Sequence, residues 1–124
     1  MSRNIIAKAA LAVLAIGALA GSADAHPKLM SVSPAADVSS KVSPKDIKLN
    51  FSEGVIAKFS GLEVKDEAGK TITTGVPAND PSDRKQLVVP LTAPLMAGRY
   101  TVNWHAVSED THRVKGEYSF EVAR

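Results

Sequence analysis

The chain has 124 residues and no cysteine. That removes disulfides, a thiolate nucleophile and the soft thiolate ligand for metals. A small exported domain without disulfides must hold itself together by packing. Aromatic residues are scarce, with one tryptophan, two tyrosines and three phenylalanines. No basic run is interleaved with aromatics, so nucleic acid is not expected as a partner. The formal net charge is +2. Beyond residue 25 no stretch keeps a helical period for three turns. There is no second long apolar run, no internal repeat and no low-complexity segment.

The first 25 residues read as a secretory leader. Arg3 and Lys8 give a basic start, an apolar run extends from Ala9 to Ala20, and Ala23-Asp24-Ala25 is a small-residue cut site. This order is the pattern of a cleaved export signal. The run is too short for a membrane span, which needs about 20 apolar residues. Cleavage after Ala25 would leave residues 26–124 as one small domain, in the periplasm, with His26 at its amino terminus. Of the 15 basic and 13 acidic residues, Arg3, Lys8 and Asp24 leave with the leader, so the remainder is close to neutral. A chain of this size buries roughly 65% of its unfolded surface, enough for a core without staples.

What remains alternates with period two. Ile47, Leu49 and Phe51 share one face of "IKLNFS". Tyr100, Val102, Trp104 and Ala106 share one face of "YTVNWHAV", and Tyr118, Phe120 and Val122 one face of "EYSFEV". Leu87, Val89 and Leu91 form a similar set, as do Leu62 and Val64. Such alternation marks strands with one buried face. Turn chemistry separates them at Ser33-Pro34, Ser43-Pro44, Ala68-Gly69-Lys70, 75–82 and Ala97-Gly98. Pro90 points to an edge or a strand end. The expectation is an all-β fold of about seven short strands, an Ig-like antiparallel β-sandwich with Greek-key connections, with Trp104 as a core anchor.

The chain holds three histidines, His26, His105 and His112. As an amino-terminal residue, His26 would offer its amine and its ring Nδ1 to a single metal. With reference pKa values of about 7.7–8.0 and 6.5, both nitrogens lose their protons to a strong Lewis acid near neutral pH, and affinity falls as the pH drops. Pro27 has no N–H, so a metal cannot continue along the backbone and must complete its coordination elsewhere in the fold. Asp110 and His112 are spaced i, i+2, which on an extended segment places both on one side. An isolated Asp-x-His is more often plain turn chemistry, with Asp110 accepting backbone N–H bonds. His105 falls on the strand face opposite Trp104 and reads as a surface histidine. Glu53, in "NFSEGV", is on its own a polar residue where a strand ends. Met30 and Met96 read as core or loop filler.

Taken together, these pieces resemble the CopC family of periplasmic copper-binding proteins. The likeness covers nearly all of residues 26–124. It rests on "AHPKLMSVSPA", "LNFSEGV", "FSGLEV" and "PLMAGRYTVNWHAVSEDTHRVKGEYSFEV", and the set is more specific than any one piece. The resemblance implies a small Greek-key β-sandwich and one Cu(II) per chain, bound by His26, Asp110 and His112. Glu53 matches an acidic position beside that site and is carried as a neighbouring or weak ligand. Some relatives have a methionine-rich loop for Cu(I). The matching stretch here, "DEAGKTITTGVPANDPSDRK", has neither Met nor His, and thioether ligands are what select Cu(I). A Cu(II)-only protein is therefore expected, with no Cu(I) site.

Nitrogen and oxygen donors place Cu(II) at the top of the Irving–Williams order, although zinc uses the same atoms in a tetrahedron. The expected role is capture, buffering or delivery of Cu(II), without turnover, by a monomer that serves an inner-membrane copper transporter of the CopD type. The residues do not choose between an import role and an export or resistance role. Two other classes compete. A histidine with its own amine plus a second histidine is also the copper brace of oxidative polysaccharide-cleaving enzymes, but the short chain and few aromatics leave little sugar-binding face. A metal-free Ig-like interaction module is the third reading, in which replacing His112 would change nothing but stability.

Overall fold

The computed structural model describes residues 26–124, and the expected leader lies outside the described residues. Among the described residues nine strands form, β1 Leu29–Ser33, β2 Ser39–Ser40, β3 Asp46–Phe51, β4 Gly61–Lys65, β5 Thr71–Ile72, β6 Ala78–Asp80, β7 Asp83–Pro90, β8 Gly98–Val107 and β9 Arg113–Val122. A short 3-10 turn covers Ala57–Phe59. One sheet has the order β1-β3-β7-β6 and the other β2-β9-β8-β4-β5. The two pack as a sandwich, in line with the all-β expectation. Two of the strands beyond the expected seven are only two residues long, too short to show an alternation in sequence.

The ladders are antiparallel with one exception. β2 runs parallel to β9, Ser39 against Glu121 and Ser40 against Val122. The chain leaves the first sheet after β1 and joins the edge of the second, so it arrives beside the carboxy-terminal strand in the same direction. The Ser33–Pro34 peptide is cis.

Alternation sends the expected residues inward. Ile47, Leu49, Leu87, Val89, Val64 and Val102 are fully buried, and Phe51, Tyr100, Trp104, Ala106, Phe120 and Val122 nearly so. Leu62, Leu91 and Tyr118 are partly buried against the same cluster. Pro90 is the exposed last residue of β7, where it interrupts no ladder. Met30 and Met96 are both largely exposed, so neither fills the core.

Trp104 meets the edge of Phe51 across the two sheets, with ring centroids 5.5 Å apart and planes at 67°. Edge-to-face contact of this kind suits the charge distribution of the rings. Directly across the ladder from Trp104 stands Gly116. A Cβ there would lie 2.6 Å from Trp104 Cζ2, so the indole occupies the volume that any side chain at 116 would need.

Candidate metal centre

The site forms where β1 begins, β3 ends and the β8–β9 connection turns. Leu29 pairs with Phe51 in the β1–β3 ladder. Beyond that pair, Lys28 N donates to Ser52 Oγ at 2.8 Å, and Ser52 N donates to Lys28 O at 2.8 Å. Pro27 is buried while His26 is exposed. These bonds fix the chain entry next to the end of β3 and hold His26 at one end of the sandwich.

The facing wall is the loop Ser108–His112. Ser108 is fully buried. Its N–H donates to His112 O at 2.9 Å, and its carbonyl accepts Thr111 N–H at 2.9 Å. The turn closes because Thr111 takes φ +73°, a left-handed backbone uncommon for a β-branched residue. Glu109 N donates to Gly54 O at 3.0 Å, and Val55 bridges Ser108, so the loop is tied to the segment after β3. Glu109 also lies flat over Gly54, where a Cβ would overlap its carboxylate, and it pairs with Arg84 at 2.7 Å.

Within this loop Asp110 and His112 converge, though not as residues of an extended strand. They meet because the turn folds back on Ser108. Asp110 Oδ2 lies 3.1 Å from His112 Nδ1, and the Ser108 hydroxyl donates to Asp110 Oδ1. That bond, followed by the contact with His112, holds the Asp110 carboxyl below the usual carboxylate range. Buried His112 Nδ1 makes this contact with Asp110 and has no other polar partner among the described residues. The His26 and His112 rings sit with centroids 4.9 Å apart, tilted by 56°.

The expected ligands His26, Asp110 and His112 therefore gather at one end of the molecule, although His26 is separated from Asp110 by most of the chain. Among the described residues no three His, Asp or Glu side chains form a finished metal-holding group. In the full chain the nitrogen of His26 is an amide joined to Ala25, so there it is not an amine donor. An imidazole nitrogen 3.1 Å from a carboxylate oxygen, with a second imidazole adjacent, is a nitrogen and oxygen set suited to a borderline cation.

Glu53 is half-buried between Ser52, which bonds Lys28, and Gly54, which bonds Glu109. It borders the site, next to the segment that ties the loop down. His105 is exposed on the outer face of the second sheet and pairs with Gly61 and Lys115. There it lines a shallow groove with Ile56, Phe59 and Val114, which agrees with the surface reading. Ser108 had no role from sequence. Its i, i+2 spacing to Asp110 repeats the spacing of Asp110 to His112, and that repetition is the one local signal it offers.

The fold is a two-sheet β-sandwich with two imidazoles and a carboxylate gathered at one end. The CopC domain model matches residues 29–123, and the chain belongs to the CopC family. Protein YobA of Escherichia coli K12 is 42% identical over 113 residues, 91% of this chain and 91% of that one. The crystal structure of CopC from Methylosinus trichosporium OB3b superposes with a TM-score of 0.73 at 32% identity, over 79% of this chain and 94% of that one. PcoC from Escherichia coli, a methionine-rich copper resistance protein, superposes with a TM-score of 0.70 at 39% identity, over 79% and 99%.

Proposed function

We propose that the exported protein captures, buffers or delivers Cu(II) in the periplasm, one ion per chain. The His26 amine and imidazole, Asp110 and His112 hold the ion, and Glu53 lies alongside. The observation that carries this reading is the pairing of the His26 and His112 rings at 4.9 Å, beside an imidazole nitrogen whose one polar contact among the described residues is Asp110. Family membership supports copper as the metal and the periplasm as the place.

Removal of the leader converts the His26 amide into an amine, so two nitrogens of one residue close a chelate ring. Asp110 supplies negative charge and His112 a second imidazole. Each must be deprotonated to bind, so protons compete with the ion and release follows acidification. Copper here is cargo, and the chain carries out no reaction on it.

The Cu(II)-only reading rests on the methionines. PcoC is described as methionine-rich, whereas this chain has three methionines in all. Met1 is in the leader, Met30 is exposed on β1, and Met96 is exposed in the loop between β7 and β8. No thioether cluster comparable to a Cu(I) site follows from that distribution. A CopD-type inner-membrane transporter is the partner that this role calls for.

The deciding experiment is the mass of the exported protein together with the EPR spectrum of its Cu(II) complex. A first residue of His26 and a spectrum with three nitrogen donors support the reading. An exported form that begins at any other residue rules out the amine chelate.

A further inference from the structure

Ser108 is fully buried and organises the turn that carries both loop ligands. Its backbone groups close the turn on Thr111 and His112. Its hydroxyl accepts the His112 N–H at 3.2 Å and donates to Asp110 Oδ1. A hydroxyl has one proton to give; Asp110 Oδ1 is its nearer acceptor, and His112 O lies farther off at 3.4 Å. Asp110 thus has one oxygen tied down, while Oδ2 faces His112 Nδ1 at 3.1 Å. The two oxygens of this carboxylate are not equivalent, and a buried side chain makes the difference.

We propose that Ser108 is a positioning and specificity-determining residue: by engaging Oδ1 it restricts Asp110 to a one-oxygen ligand and so favours Cu(II) over zinc. The inference rests on the copper-site reading above and adds a selectivity that the ligand list alone does not contain. One carboxylate oxygen with an amine and two imidazoles gives four donors, which suits the tetragonal preference of Cu(II). Zinc has no geometric preference from its d electrons. Freeing Oδ1 lets the carboxylate rotate or grip with both oxygens, a change that zinc accommodates at less cost than Cu(II). Partners of this kind, which hold a ligand without touching the metal, change affinity by about 10–100-fold when removed.

The test uses the exported protein carrying Ser108→Ala, Ser108→Thr, Asp110→Asn or His112→Ala, with Cu(II) EPR and a competitive titration of Cu(II) against zinc. Ser108→Ala is expected to shift the copper hyperfine splitting and to lower the Cu(II)/zinc preference roughly tenfold. Restoration by Ser108→Thr would assign both effects to the hydroxyl. If Ser108→Ala keeps the parent spectrum and preference while Asp110→Asn and His112→Ala lose copper, the role of Ser108 is overturned and the site stands. If all four variants bind as the parent does, the copper-site reading itself fails. Should Ser108→Ala melt too low to measure, X-ray absorption on the parent Cu(II) complex decides: one carboxylate oxygen at the metal supports the proposal and two overturn it.

Discussion

The two ends of the sandwich are made by the same strands, yet they are equipped for different things. β8 runs from Gly98 to Val107 and touches both. At its far end the chain gathers His26, Asp110 and His112 around a loop braced by Ser108, Glu109 and Gly54. At its near end lies the larger hollow, about 1000 Å³, lined among others by Asp66, Glu67, Lys70, Met96, Tyr100 and Arg124. That hollow has space and mixed charge but a single thioether and no histidine. The smaller, crowded end has the convergent donors. Room for a ligand and chemistry for a ligand are separate properties here, and a metal ion needs donors more than it needs volume.

The strongest way to break this contrast is to disable the crowded end alone. Acetylating the amine, or leaving one extra residue ahead of His26, should weaken Cu(II) binding on the order of 100-fold or more, because the amine donor and the chelate ring it closes are both lost. A competitive titration reads it, and affinity equal to the parent would remove the distinction between the ends. Asp110→Asn should cost less, about tenfold, and should raise the Cu(II)/Cu(I) potential because a negative donor is replaced by a neutral one. Voltammetry on the copper complex measures the second effect separately from the first.

Gly116→Ala tests what the two ends share. The new methyl would press on the Trp104 indole, and overpacking of this kind costs about 1–3 kcal/mol. The melting temperature of the metal-free protein should fall, while Cu(II) affinity of the folded variant stays as in the parent. Loss of affinity without loss of stability would mean that the core and the site are coupled.

At the other end, Met96→Ala should leave both Cu(II) affinity and Cu(I) uptake under reductant unchanged. A drop in Cu(I) uptake would give that end a copper function after all. The smallest expected effect concerns acid. The Ser108 bond depresses the Asp110 carboxyl in the folded protein, whereas an unfolded aspartate titrates near about 3.9. Its stabilising effect is complete above that value and is lost as the pH falls through the lower folded one. The stability difference between the metal-free parent and Asp110→Asn should therefore be constant near neutrality and shrink below about pH 4.

Much of this architecture was legible in one dimension. Alternation identified Ile47, Leu49, Phe51, Val102, Trp104 and Phe120 as interior, and it sent His105 outward, because in a strand facing depends only on parity. The two-residue strands β2 and β5 were not legible, since so few residues show no period, and the parallel pairing of β2 depends on where the chain changes sheets. Asp110 and His112 were singled out by spacing, on the premise of an extended segment. The segment is a turn instead, and their convergence comes from the fold-back onto Ser108. Glu109 over Gly54 had no sequence signal, because the contact joins loops that only the packed sheets bring together.

The sequence by itself determined which residues face inward, that the chain is all-β, and which atoms have the chemistry for a borderline cation. Those properties are local, set by side-chain type and by the two-residue repeat of a strand. Only the tertiary structure decided that His26 and His112 share one end of the sandwich, and that one oxygen of Asp110 is held while the other is turned toward an imidazole. Those facts depend on the register of β1 on β3 and on a buried hydroxyl at the end of β8, and register and burial are relations between distant parts of the chain.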